Sequence, residues 1–135
     1  MMNSKSLVTA VCNTVSGIAG VTVTPEFPDK LQDLPLRNPV ISVGVNNISV
    51  DGVDDAKLTA SASPSTVTVR VSVCVPKTMT GERCMQTVDS VINALKSLLT
   101  SYSIVTVKAG NTRYSSTLSA LVTDVDIKFY SGNAF

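Results

Sequence analysis

Apolar and polar side chains alternate most regularly between residues 65 and 75. Val67, Val69, Val71, Val73 and Val75 share one parity, and Thr68, Arg70, Ser72 and Cys74 share the other. A strand points successive side chains to opposite faces, so the pattern predicts a strand with one face buried and one left for solvent or contact. After a polar turn at residues 76–81 the period changes. Met85, Val88, Val91, Ile92, Leu95, Leu98 and Leu99 then form a broad helical stripe that starts near Thr80, a possible cap. An earlier helix is predicted from Leu7, Val11, Val15 and Ile18. Asn3 or Ser4 can cap its start, and Gly17 and Gly20 can end it.

The remaining segments read as strands and connections. Residues 21–24 are short and β-branched. Pro25, Pro28, Pro35 and Pro39 rule out regular helix between them and predict an extended arm over residues 25–39. Ile41, Val43 and Val45 alternate up to a turn at Asn46 and Asn47, after which residues 48–53 can continue the sheet. Residues 54–64 form a small, polar loop. Val105 and Val107 mark another strand, Gly110 and Asn111 a turn, and residues 115–130 a long closing strand. Within that last strand Leu118, Ala120 and Val122 are apolar on one parity, whereas Val125, Ile127 and Phe129 are apolar on the other. A phase change near Thr123 implies a bulge, or two halves that face different neighbours.

These elements predict a single α+β domain over residues 1–135. It has one mixed or antiparallel sheet of about four or five strands, with two helices packed on one face. The length of 135 residues suffices to bury a core without covalent staples.

Composition narrows the chemistry. The 11 basic and 10 acidic residues give no electrostatic reason for nucleic-acid or acidic-membrane binding. Histidine is absent, which removes the usual general base and the commonest metal ligand. The three cysteines, Cys12, Cys74 and Cys84, are odd in number and lack CxxC spacing, which argues against a disulfide framework or zinc site and fits a reducing cytoplasm. No stretch approaches the roughly 20 apolar residues that span a bilayer. The run at residues 7–12 is shorter than the roughly 7–15 apolar residues of a signal peptide.

The remaining candidates for chemistry each have a plainer reading. Asp51, Asp54 and Asp55 lack the spacing of a calcium loop and read as an acidic turn. Asp124 and Asp126 share one strand face about 7 Å apart, a separation compatible with paired-carboxylate catalysis. Lys128 follows them and no aromatic subsite is near, so a solvated face or a surface shared in an assembly is the better reading. Cys74 and Cys84 flank one turn, and Cys84 sits beside Arg83 near a helix start, yet no histidine is present to act as a base. No catalytic residue, cofactor or metal is assigned.

The order of elements resembles the tail terminator proteins of tailed bacteriophages and phage-tail-like particles. The resemblance is carried by a helix at residues 4–18, a strand, and a proline-containing connection. Strands at 39–46 and 66–76, a helix at 81–99 and a closing strand at 118–129 complete it. It implies a homohexameric ring on the last ring of a tail tube, in the tail or neck of a virion assembled in the bacterial cytoplasm. The partners would be the tail tube protein and a head–tail connector, sheath or collar protein, with at most non-specific passage of DNA and no membrane. Pro28, Arg37, Leu118, Ala120 and Val122 are then expected at the subunit interface, and Asp124 and Asp126 as a negative lining of the lumen. Charge reversal at Arg37 is expected to weaken assembly without unfolding the chain. A head–tail adaptor or tail completion protein has a similar pattern. From the residues alone, a small cytoplasmic ligand-binding or regulatory domain is the competing class.

Overall fold

The computed structural model describes residues 4–18, 20–25, 38–50, 65–79, 81–116 and 119–131. The regular alternation of residues 65–75 becomes β3 (Ser65–Pro76), the centre of the sheet. Val67, Val69, Val71, Val73 and Val75 are all fully buried. β3 is flanked by β2 (Val40–Val50) and β6 (Ala120–Ser131), both antiparallel to it. β1 (Thr22–Pro25) adds to β2 in parallel, and β4 (Ile104–Ala109) adds to β6 antiparallel. The short β5 (Arg113–Ser115) also pairs with β6, farther along the same edge. The fold is α+β, with one mixed six-stranded sheet in the order β1-β2-β3-β6-β4 and β5 beside β6.

Both helices pack on one face of this sheet. α1 (Ser4–Val15) buries Leu7, Val11 and Val15, one side chain per turn. α2 (Gly81–Lys96) buries Cys84, Thr87, Val91 and Leu95, and a 3-10 turn at Ser97–Thr100 adds Leu98. The observed stripe is therefore rotated from the predicted one, and Met85 and Leu99 lie exposed. Met85 follows Cys84 by about 100° of helical turn, which carries it off the sheet-facing side. Leu99 belongs to the tighter 3-10 winding, which turns it away from the line of Leu95 and Leu98. Ile41, Val43, Val125, Ile127 and Phe129 complete the core, and Tyr102 meets Phe129 edge-on at 5.6 Å between ring centres.

Four local expectations change. Asn46 and Asn47 do not form a turn. β2 runs straight through them with a bulge between Val45 and Asn47, because both flanks keep pairing with β3. Residues 113–115 form a separate strand, and the closing strand begins only at Ala120, preceded by Ser119 at a positive φ of 50°. The apolar phase change near Thr123 is not a bulge against β3, since the β3–β6 register is unbroken from Pro76↔Ala120 to Ser65↔Ser131. The strand keeps its alternation, and its two halves bury opposite faces. The arm at 26–37, the loop at 54–64, and the proposed caps Asn3 and Thr80 lie outside the described residues.

Candidate functional site

The face of the sheet opposite the helices carries Arg70, Lys108, Arg113, Asp124, Asp126 and Lys128. Period two sends Thr66, Thr68, Arg70, Ser72 and Cys74 of β3 to this side. Antiparallel pairing sets Asp126 opposite Arg70 and Asp124 opposite Ser72. The Arg70 guanidinium grips Asp126 with two hydrogen bonds, Nε to Oδ1 at 2.9 Å and Nη2 to Oδ2 at 3.1 Å. Ser72 Oγ donates to Asp124 Oδ1 at 2.7 Å, and Arg113 Nη1 on β5 donates to Asp124 Oδ2 at 3.0 Å. Arg70 Nε also lies 3.9 Å from Asp124 Oδ2, which joins the two pairs into one chain of charge.

This network explains the perturbed groups on the face. The hydrogen bond to Asp126, reinforced by the charges of both carboxylates, outweighs partial desolvation and holds the Arg70 guanidinium above its ordinary pKa. Lys108 stands opposite Asp126 on β4, and Lys128 stands opposite Thr68. The face therefore presents four cations and two anions, and both carboxylates are already held by guanidinium groups. Asp124 and Asp126 do share a face as the period requires. Each of them is paired with a guanidinium group on that face.

At the other end of the same face, Cys74, Ala120 and Val122 are buried together, with Val40 packed against them. Ala120 and Val122 were expected at a subunit interface. Within the chain itself they are 0% and 4% exposed. Cys74 lies in this cluster, where burial first, and the nearby Asp124 charge second, push its thiol from 9.0 up to about 12. Cys84 lies on the helix-covered side, its sulfur 3.6 Å from Thr123 Oγ1. Strand alternation therefore separates the two thiols across the sheet, and all three cysteines are free. Burial also raises the Cys12 thiol.

Pro28, Arg37 and Leu118 lie outside the described residues, as do Asp51, Asp54 and Asp55. Among the described residues no group of three His, Cys, Asp or Glu side chains could hold a metal ion. No helix among them is long and apolar enough to cross a membrane. The residues of this face that sequence reading did not assign to a site are Arg70, Ser72, Arg113 and Lys108. Arg70 and Ser72 were visible on the polar parity of β3, but their acidic partners could be named only once the register with β6 was known. Arg113 gave no signal, because it lies between the predicted turn at Gly110 and Asn111 and the predicted closing strand at residues 115–130. No protein-family model matches the chain, and no curated protein matches it at a significant level.

Proposed function

We propose that this chain is a structural virion protein, a tail terminator of a phage or phage-tail-like particle. Its ring caps the tail tube, stops polymerisation, and offers the surface to which a head connector, sheath or collar attaches. The reading rests on the resemblance in element order. The observation that best supports it is the layout of the sheet. Both helices pack on one face, and among the described residues no helix covers the charge-bearing face and no strand lies beyond β4 or beside β2 from Gly44 onward. The mechanism is capping by shape and edge complementarity, with no covalent step. The ring makes at most non-specific contact with passing DNA.

Light-scattering mass after size exclusion, with negative-stain images of the same peak, tests the reading. A mass near six times 14.2 kDa and ring-shaped particles are the expected result. A compact dimer without rings would move the assignment to a small ligand-binding or regulatory domain.

A further inference from the structure

Among the described residues the sheet has two edge segments without a neighbouring strand, at the same height. β1 flanks β2 only along Val40–Val43, so among the described residues no strand lies beside β2 from Gly44 onward. On the far side, β4 pairs with β6 and has no described strand beyond it. The registers align these segments across the molecule. Ile48 stands opposite Val67, Val67 opposite Phe129, and Phe129 opposite Ile104. Val45, Val69, Ile127 and Val107 form a parallel row.

The edges also match in shape. Each carries one irregularity, between Val45 and Asn47 on β2 and between Ile104 and Thr106 on β4. Both sit on a single row, because Asn47 opposes Thr68, Thr68 opposes Lys128, and Lys128 opposes Thr106. A bulge increases local twist, so two edges bulged at one height twist together.

Two backbone hydrogen bonds fix which backbone groups face outward. Gly110 N–H donates to the Asp124 carbonyl at 2.8 Å, making that a bonded pair. Alternation then turns the N–H groups of Val107 and Ala109 away from β6. On the other side, Thr22 N–H donates to the Pro39 carbonyl at 3.1 Å, so the odd residues of β2 up to Val45 face away from β3. Past the bulge, Ile48 takes that orientation. Val45, Ile48 and Val105 are 38%, 53% and 52% exposed. Residues 44–50 contain no charge and no proline, and β4 carries only Lys108. An exposed, uncharged edge is a ready template for another strand.

The geometry points to a head-to-tail interface between copies of this chain, in which β4 of one copy extends the sheet of the next along residues 44–50 of β2. Each of the pairs β2–β3, β3–β6 and β6–β4 is antiparallel, so β2 and β4 run in opposite directions. A copy rotated about an axis along the strands keeps its directions, and its β4 then lies antiparallel to β2. The contact uses a different surface on each copy, which is the kind that closes into rings. The inference rests on the ring reading above and gives that ring its interface.

Two proline variants test it by mass. Ile48→Pro and Ala109→Pro each remove one outward-facing donor, a position where an edge strand tolerates proline. Each variant alone is expected to remain a folded monomer under conditions where the unaltered chain assembles. An equimolar mixture is expected to give a dimer, because one copy keeps an intact β4 edge and the other an intact β2 edge. Assembly of either single variant, or a mixture that stays monomeric, overturns this interface and leaves the ring reading standing. An unaltered chain that never self-associates overturns both. If a proline variant loses its fold, Val45→Lys and Val105→Lys carry the same test through exposed side chains.

Discussion

Arg70 and Asp126 face each other on adjacent central strands and are joined by two parallel hydrogen bonds of 2.9 and 3.1 Å. The fork of the guanidinium matches the two carboxylate oxygens, a geometry that lysine cannot reproduce. Both side chains retain water, at 40% and 33% exposure, which discounts the pair. A double-mutant cycle with Arg70→Ala and Asp126→Ala, read by urea unfolding, should give a coupling of about 0.5–1 kcal/mol. Arg70→Lys should lose most of that coupling. A coupling indistinguishable from zero would mean that the cross-strand pair adds nothing to stability.

Asp124 is the more consequential of the two carboxylates. It is less exposed, accepts from Ser72 and Arg113, and lies near Arg70. Removing it strips a charged acceptor from two donors at once. Asp124→Ala should therefore cost about 1–2 kcal/mol and exceed Asp126→Ala measured in the same denaturant series.

Val71 tests the core. It is fully buried at the middle of β3, between Val43 on β2 and Val125 on β6. A lone carboxylate there has no partner and costs more than a domain of this size has to spare. Val71→Asp should abolish the cooperative thermal transition seen by circular dichroism. A retained, sharp transition would place Val71 outside the essential core.

Gly20 holds the turn from α1 into β1 at a φ of +76°, and an added Cβ would come within 3.1 Å of Arg83 Nη2. The Arg83 tip can shift, so the backbone conformation dominates the cost. Gly20→Ala should destabilise by about 1–2 kcal/mol, whereas a replacement at a turn without positive φ would be near neutral. Thermal melts of the variant check this.

Cys74 gives stability an alkaline limit. Its folded pKa of about 12 lies above the ordinary 9.0, so the folded chain holds the thiol proton through a window in which the unfolded chain releases it. This contribution is complete below pH 9 and is lost as pH rises toward 12, at up to about 1.4 kcal/mol per pH unit. Cys74→Ala should flatten that slope relative to the unaltered chain, although burial loss lowers its stability at neutral pH. Equal slopes for the two chains would show that Cys74 does not set the limit.

Period alone was enough to determine the strand at Ser65–Pro76, its buried parity, both helices, and the α+β class, because each depends on neighbours within a few residues. It also showed that Arg70, Ser72, Asp124 and Asp126 lie on polar faces. Tertiary structure decided who meets whom. The register between β3 and β6 brings Arg70 and Ser72 to carboxylates 56 and 52 positions away, and no local pattern encodes that offset. The bulge at Asn46 and Asn47 exists because β3 keeps both flanks of β2 in pairing, which overrides a local turn preference. The burial of Ala120 and Val122, the separation of Cys74 from Cys84, and the alignment of the two edge segments have the same origin. They arise from how strands far apart in sequence stack side by side, where pairing energy rather than local propensity sets the outcome.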